Sequence, residues 1–152
     1  MNIAENKVAL FNHQILESIE AGIKLTGPEV KAIKNGLINL KGSYISIITN
    51  KAGISEAWLK DTHISKYNKA GHAQNAYEPT RPRKLLLNKR EIKALLGSSA
   101  RPGLTILPLL VYTSRGLVKI KIGLAKGKGQ IDKRATIKKR ELDRQVGRLV
   151  SR

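Results

Sequence analysis

The residue types that most often carry acid–base or metal chemistry are few and scattered in this sequence. Its three histidines are His13, His63 and His72, and no two of them have the i, i+4 spacing that puts a pair of imidazoles on one helix face. Cysteine is absent, which excludes disulfides and thiolate metal sites. We therefore predict that the chain has no metal site.

Motifs for a catalytic nucleophile or a bound nucleotide are also missing. No G-x-S-x-G sequence, which would expose a hydrolase serine on a tight turn, occurs in the chain. Gly127-Lys128-Gly129 is similar to part of a phosphate-binding loop, but it lacks the upstream glycine and the Ser/Thr of that motif. The sequence thus predicts no catalytic residues, no cofactor and a protein that is not an enzyme. A nuclease would need an acidic cluster or a histidine pair, and neither stands out.

Positive charge is the strongest signal in the sequence. The 152 residues hold 29 Lys and Arg against 11 Asp and Glu, a net charge of +18. Residues 1–30 contain two basic and four acidic side chains, whereas residues 115–152 contain thirteen basic and three acidic ones. A field of this strength favours a polyanion, because each cation that neutralises a phosphate releases counterions. RNA is the partner that this predicts.

Two other readings of the charge remain open, a merely soluble surface and an anionic membrane. A membrane-surface helix would use aromatic side chains on its apolar face, and none follows Gly127. The longest apolar stretches are too short to span a bilayer, and the first eleven residues do not have the pattern of a signal peptide. We expect a protein without a membrane partner in a reducing compartment.

Capping residues predict two helices. Pro28 suits the first turn of one helix, and Gly36 suits its C-terminal end. Asn88 is a plausible N-cap for the second, with Glu91 three residues on as its capping-box partner and Gly97 as the stop.

The remaining pattern predicts short strands. Residues 105–113 and 117–124 read as a hairpin, and the second of these alternates apolar residues with Lys119 and Lys121, giving one buried and one basic face. Ala21-Gly22 reads as a turn between two strands. We predict a mainly β domain over residues 1–127, a small antiparallel oligonucleotide-binding-like β-barrel with short helices. Residues 128–152 form a basic tail that is expected to be disordered alone and to fold on a partner.

Several longer phrases occur in a fixed order along the chain: Glu20-Ala21-Gly22-Ile23, Gly27-Pro28-Glu29-Val30-Lys31, the run P-T-R-P-R-K-L-L-L-N-K-R-E-I at residues 79–92, Ala125-Lys126-Gly127-Lys128 and Asp132-Lys133-Arg134. In this order they resemble the SsrA-binding protein family, also called small protein B (SmpB). The match runs in register from about residue 6 to residue 140.

The resemblance implies both a fold and a role. Members of this family are small oligonucleotide-binding-like barrels that bind the tRNA-like part of transfer-messenger RNA and bring it to stalled ribosomes for trans-translation. The expected partners are therefore transfer-messenger RNA, the decoding region and message channel of the small ribosomal subunit, and the elongation factor that delivers tRNA. The expected location is the bacterial cytoplasm or an organelle of bacterial origin, and the tail is expected to become helical on the ribosome.

The resemblance also assigns site residues by position. The positions expected to bind RNA are Asn6, Glu20, Lys84, Leu86, Asn88, Lys126 and Lys128. The positions expected to contact the ribosome are Gly127, Asp132, Lys133, Arg134, Lys138, Lys139 and Arg140. Structural alternatives stand beside three of the RNA-binding positions: an N-cap for Asn88, core packing for Leu86 and a plain surface acid for Glu20.

This sequence departs from the family pattern at five positions. The departures are His13, Gln14, Ser55, Gly129 and Ile131. The last two lie in the expected tail, where the family usually has a lysine after Gly-Lys and a ring before Asp-Lys-Arg. Isoleucine cannot stack as a ring does. From composition alone, a general ribosomal or assembly protein with a basic extension remains the alternative, and the ordered motifs favour the rescue factor.

Overall fold

The structure, a computed structural model, describes residues 1–67, 76–128, 134, 137–142 and 144. In chain order its elements are β1 (Asn2–Glu5), α1 (Lys7–Asn12), β2 (His13–Ile23), α2 (Gly27–Lys34), β3 (Ile38–Asn39), β4 (Tyr44–Thr49), β5 (Ser55–Lys60), β6 (His63–Ile64), β7 (Arg83–Leu86), α3 (Lys89–Ser99), β8 (Leu104–Ser114) and β9 (Leu117–Gly127). The prediction of a mainly β chain with short helices is confirmed. The polar residues 68–83, with Gly71, Pro79 and Pro82, predict a loop before β7, and residues 68–75 of it lie outside the described part of the chain.

One antiparallel sheet organises the molecule. Its seven strands lie in the order β1-β8-β9-β2-β7-β5-β4, and β3 and β6 pair separately. The predicted hairpin is confirmed as β8 and β9, which turn at Arg115 and Gly116 with positive φ angles. The predicted alternation along β9 is also confirmed, because Ile120 and Ile122 are fully buried while Lys121 is exposed.

The prediction of an antiparallel oligonucleotide-binding-like β-barrel is confirmed only in part, because the sheet is antiparallel but does not close. Among the strands described, β1 and β4 are the two ends of the hydrogen-bonded order, and they do not pair with each other. Strand β4 comes close to β8, so the sheet curls around the core. Strand β8 pairs with β1 on one edge, from Leu110 to Tyr112, and with β9 along the other, and no ladder joins it to β4 among the described residues.

The two predicted helices form at the expected starts. Thr26 caps α2 in a capping box with Glu29, and Asn88 caps α3 in the same way with Glu91. The predicted stop at Gly97 is wrong, since α3 continues to Ser99. Gly97 does not adopt the positive φ of a helix-ending glycine, and the chain instead turns at Gly103, where φ is +79°.

The predicted turn at Ala21-Gly22 is also wrong, since both residues lie inside the continuous strand β2. Ala21 is buried and pairs with Ile120, so the core holds this part of the strand in place. Gly22 pairs with Leu86 on β7, and a Cβ at Gly22 would lie 3.2 Å from the Leu86 Cβ. The glycine therefore serves close packing between strands rather than chain reversal.

The main core lies on one face of the sheet, between β2, β5, β7, β8, β9 and helix α2. Its fully buried members include Ile33, Leu59 and Leu85. A second, smaller cluster of Ala9, Leu107 and Ala125 joins α1 to the opposite face of the sheet. Ala125 points to that face because it follows Leu124 of the main core, and successive strand residues point to opposite sides. No helix in the described ranges is long and apolar enough to cross a membrane.

Candidate nucleic-acid interface

Within the described part of the chain, no element other than α1 lies on the face of the sheet opposite the main core. We call the outward residues of this face on β2, β5, β7, β8 and β9 the open face. Ala21 and Ile120 pair in the core, so their strand neighbours point the other way. Residues that pair across neighbouring strands point to the same side of a sheet. Gly22 pairs with Leu86 and Lys84 pairs with Trp58, so β7 and β5 contribute these residues to the same face. The residues of the open face used below are Glu20, Gly22, Trp58, Lys84, Leu86, Tyr112, Lys119 and Lys121.

Glu20 lies at the centre of the open face and has two partners there. The Tyr112 hydroxyl donates a hydrogen bond to Glu20 Oε2, and Lys119 Nζ lies 4.0 Å from Glu20 Oε1. Burial, the hydrogen bond to Glu20 and the charge of Glu20 together raise the pKa of Tyr112 to about 12. The Tyr112 hydroxyl therefore stays protonated as a donor. The Glu20 side chain is still 56% exposed, so it can also accept hydrogen bonds from a ligand.

Leu86 and Asn88 lie next to Glu20 at the end of β7. Leu86 is 56% exposed on the open face, so the alternative that it packs in the core is wrong. Asn88 is exposed, and its Oδ1 accepts a hydrogen bond from the Glu91 backbone N–H at 2.8 Å. The N-cap role of Asn88 is thus confirmed, and it occupies only the oxygen of the amide. The amide NH₂ has no hydrogen-bond acceptor within the part of the chain described, so it can donate to RNA.

Lys84 extends this group of residues toward β5. Its ammonium nitrogen lies 3.4 Å from Glu56 Oε1, in a pair whose side chains are each about one-third exposed. The Lys84 carbonyl accepts a hydrogen bond of 2.9 Å from the Lys24 backbone N–H, which brings the chain after β2 beside β7. Four of the predicted RNA-binding residues, Glu20, Lys84, Leu86 and Asn88, are therefore neighbours in the structure.

A buried ionic cluster lies behind this part of the sheet, and the sequence did not predict it. The Glu29 carboxylate accepts hydrogen bonds from Arg81, from Arg83 Nε at 2.8 Å and from the Tyr77 hydroxyl at 3.2 Å. Arg83 is fully buried and also donates to the Thr62 carbonyl at 2.6 Å. The cluster ties α2 to the start of β7 and so fixes the strand that carries Lys84 and Leu86.

The pKa of Glu29 reflects that cluster. Burial by itself raises the pKa, but the hydrogen bonds from Arg81, the Thr26 backbone and Arg83, with the Arg83 charge, outweigh it and lower the pKa to about 2. Glu29 is therefore ionised at any physiological pH. The only sequence signal for this contact is a pair of arginines just before the apolar run of residues 85–87, with no indication of their partner.

The other predicted RNA-binding residues lie at the far end of the sheet, around α1. Asn6 is buried: its Nδ2 donates to the Pro108 carbonyl at 2.8 Å, and its Oδ1 caps α1 at Ala9. The backbone N–H of Lys128 donates to the Asn12 carbonyl at 2.9 Å, and Lys126 is exposed at the end of β9. Seven residues of strand separate Lys119 from Lys126, about 23 Å. Asn6 thus has a structural role here, and the two lysines form a separate basic site.

Sequence similarity to known proteins shows the family of the chain. Residues 3–152 match a family model described as SmpB protein. The SsrA-binding protein of Trichodesmium erythraeum is 47% identical over 148 residues, which cover 97% of this chain and 91% of the relative. That of Lactobacillus johnsonii is 47% identical over 146 residues, 96% and 92% of the two chains. The chain belongs to the SmpB family.

A solved structure agrees with this assignment to the SmpB family. It is described as "tmRNA-SmpB: a journey to the center of the bacterial ribosome". A chain in it superposes with a TM-score of 0.68 and 38% sequence identity, over 86% of this chain and 87% of that one.

The C-terminal positions that the SmpB resemblance assigns to the ribosome are only partly visible. Gly127 is the exposed last residue of β9, three residues beyond the predicted end of the hairpin. Asp132 and Lys133, with the departures Gly129 and Ile131, lie outside the described residues. The other predicted tail positions are helical and exposed: Arg134, Lys138, Lys139 and Arg140. The Arg140 guanidinium lies 5.4 Å from the ring centroid of Phe11 on α1, a cation–π contact between tail and sheet domain.

Proposed function

We propose that this SmpB-family protein binds the tRNA-like domain of transfer-messenger RNA, also called SsrA RNA, and delivers it to stalled ribosomes for trans-translation. The open face and Asn88 contact the RNA. The ribosome is the second partner, and the elongation factor that delivers tRNA is a third. The protein acts in the bacterial cytoplasm, or in an organelle of bacterial origin.

Membership of the SmpB family carries this proposal. Relatives that are nearly half identical over almost the whole chain are SsrA-binding proteins, and that name states what they bind. The local geometry supports it: Glu20, Lys84 and Leu86 come from two strands, β2 and β7, that are distant in sequence, and the register brings them together beside Asn88. Together they offer a carboxylate, an ammonium group, an apolar surface and an amide, which suits an irregular RNA surface better than a regular duplex.

In this proposal, two parts of the chain have different functions. Residues 1–127, an oligonucleotide-binding-like domain, capture the RNA. Residues 128–152 contact the decoding region and message channel of the small subunit, where they become helical. Gly127, Asp132, Lys133, Arg134, Lys138, Lys139 and Arg140 make those contacts. The domain works by binding and positioning RNA, with no chemical step of its own.

Recovery of RNA from cells tests the proposal. The tagged protein is purified from its host after ultraviolet crosslinking, and the bound RNA is sequenced. We expect transfer-messenger RNA to be enriched far above its cellular abundance, with crosslinks in its tRNA-like domain. A general ribosomal protein would instead recover ribosomal RNA fragments without enrichment of transfer-messenger RNA, and that result would overturn the proposal.

A further inference from the structure

The only tryptophan of the chain lies in a row of basic residues that the site described above does not explain. Trp58 on β5 pairs with Lys84 on β7, and the Lys84 carbonyl in turn binds the backbone N–H of Lys24. Three neighbouring chain segments thus place an indole and two lysines side by side. Lys84 is two residues along β7 from Leu86, about 7 Å, so the row borders the RNA-binding residues.

This row lines a surface pocket. Its walls are Lys24, Leu25, Thr26, Trp58, Arg81 and Lys84. Trp58 is half-buried, and in the chain's described ranges no carboxylate lies within 4 Å of the Lys24 ammonium group. The pocket therefore combines one aromatic ring with three cationic side chains, and the Lys24 charge is uncompensated.

The basic walls of the pocket differ in mobility. Arg81 is tied to the buried Glu29 carboxylate, so its guanidinium is fixed at one side of the pocket. Lys84 has an exposed partner in Glu56 and can exchange it for a phosphate. Lys24 has the greatest freedom of the three. One fixed cation, two movable ones and an aromatic ring in the same pocket match a ligand with a flat base and a mobile phosphate.

We propose that this pocket holds one unpaired nucleotide of the bound RNA, with the base on the Trp58 ring and its phosphates against Lys24 and Lys84. This inference rests on the function proposed above and adds a specific contact to it. Stacking on an aromatic side chain tolerates any base but requires that the base be unstacked from its neighbours. The protein would therefore recognise a bulged or looped nucleotide next to the contacts made by Leu86 and Asn88.

A single tryptophan gives a direct readout of the pocket. Intrinsic fluorescence of the wild-type protein is titrated with transfer-messenger RNA, with a single-stranded uridine hexanucleotide at low salt, and with a blunt RNA duplex. We expect transfer-messenger RNA and the hexanucleotide to quench Trp58 and to protect it from acrylamide, and the duplex to do neither.

Variants test the same contact by affinity. Trp58→Leu should weaken transfer-messenger RNA binding at least about fivefold, while Trp58→Phe, which keeps a ring, should stay within about threefold of wild type. Lys24→Gln should also weaken binding, whereas Lys41→Gln removes the same charge from an exposed position away from the pocket and should change it least. Thermal unfolding shows which variants fold. If Trp58→Leu does not fold, the fluorescence of the wild-type protein and the RNA affinity of Lys24→Gln test the proposed contact instead.

The outcomes separate this inference from the proposed function. If transfer-messenger RNA binds the wild-type protein tightly without changing Trp58 fluorescence or acrylamide protection, the pocket is empty in the complex and the inference is wrong. Equal binding by Trp58→Leu, Trp58→Phe and wild type would overturn it as well. If the wild-type protein does not bind transfer-messenger RNA, the proposed function itself fails.

Discussion

At the scale of single residues, the Glu29 carboxylate anchors the start of β7, the strand proposed to bind RNA. Its carboxylate binds Arg81, Arg83 and Tyr77, and its backbone N–H is capped by Thr26. Because Arg83 is fully buried, removing the carboxylate leaves a guanidinium without its counter-charge away from water. Replacement of one partner of such a pair therefore lowers the free energy of unfolding, even when the new side chain has the same shape.

We predict that Glu29→Gln lowers the free energy of unfolding by roughly 3 kcal/mol at pH 7. The pKa of Glu29 is lowered from 4.5 to about 2 by folding, so its contribution is complete above pH 4.5 and disappears as the pH falls toward 2. The gap between variant and wild type should therefore narrow over that window. Urea denaturation at a series of pH values measures both effects.

Glu56→Gln is the matched control for this prediction. Its pair with Lys84 is exposed, so the same substitution there should change the free energy of unfolding by less than about 1 kcal/mol. If Glu29→Gln is no more destabilising than Glu56→Gln, the buried cluster does not hold β7 as argued.

At the scale of elements, the start of α3 has a structural role, and we propose a binding role for it as well. The Asn88 oxygen caps the helix, and its NH₂ group faces solvent beside Leu86. These two roles can be separated by chemistry, because serine is as good an N-cap as asparagine but has no amide.

We predict that Asn88→Ser retains the stability of the protein and weakens transfer-messenger RNA binding roughly five- to tenfold, the loss of about one hydrogen bond. Asn88→Ala removes both the cap and the amide. It should therefore lower the free energy of unfolding by about 1 kcal/mol and also weaken RNA binding. Thermal unfolding and filter-binding titrations on both variants measure the two effects. If Asn88→Ser binds RNA as tightly as wild type, the asparagine serves only as a cap.

Local elements were predictable from the sequence because their signals span only a few residues. The capping box of Asn88 and Glu91 depends on a three-residue spacing, and the alternation along β9 depends on a period of two. Ala21-Gly22 misled the prediction, since the reason for that glycine is Leu86 across the sheet. Whether the two end strands of the sheet pair with each other is a tertiary feature that no local pattern encodes. The same holds for the contact between Glu29 and Arg83, which are 54 residues apart in the sequence.

The candidate site was predictable by a different route. Glu20, Leu86 and Asn88 were identified through the resemblance of whole phrases to the SmpB family, because their residue types alone mark no particular chemistry. Trp58 and Arg83 were missed. A lone tryptophan between Ala57 and Leu59 looks like core, and only the register with Lys84 shows that it borders a basic pocket.

At the scale of the whole molecule, the proposed division into core and tail can be tested. Among the described residues, both hydrophobic clusters are formed by residues up to Ala125. Among the described residues, the contact between Arg140 and Phe11 links the tail to the sheet domain, and an exposed cation–π pair contributes only about 0.5–1 kcal/mol. We therefore expect that the tail can change its position without unfolding of the sheet domain.

We predict that a chain ending at Lys128 folds, binds transfer-messenger RNA nearly as well as the full chain, and fails to support tagging of stalled peptides. Circular dichroism, a binding titration and a tagging assay measure these three properties. The control replaces Asp132, Lys133 and Arg134 by alanine in the full chain, a net change of only −1, which should preserve RNA binding while tagging falls sharply. Normal tagging by the truncated chain would show that the tail has no part in rescue.

The central claim is that the open face between β2 and β7 binds transfer-messenger RNA, and one affinity comparison tests it most directly. Leu86→Glu and Leu37→Glu place the same negative side chain at two exposed leucines, one on the open face and one just beyond α2. Both should fold, because each leucine is more than 40% exposed. The account predicts that Leu86→Glu raises the Kd for transfer-messenger RNA at least about tenfold and that Leu37→Glu leaves it within about threefold. Equal affinity of the two variants would contradict it.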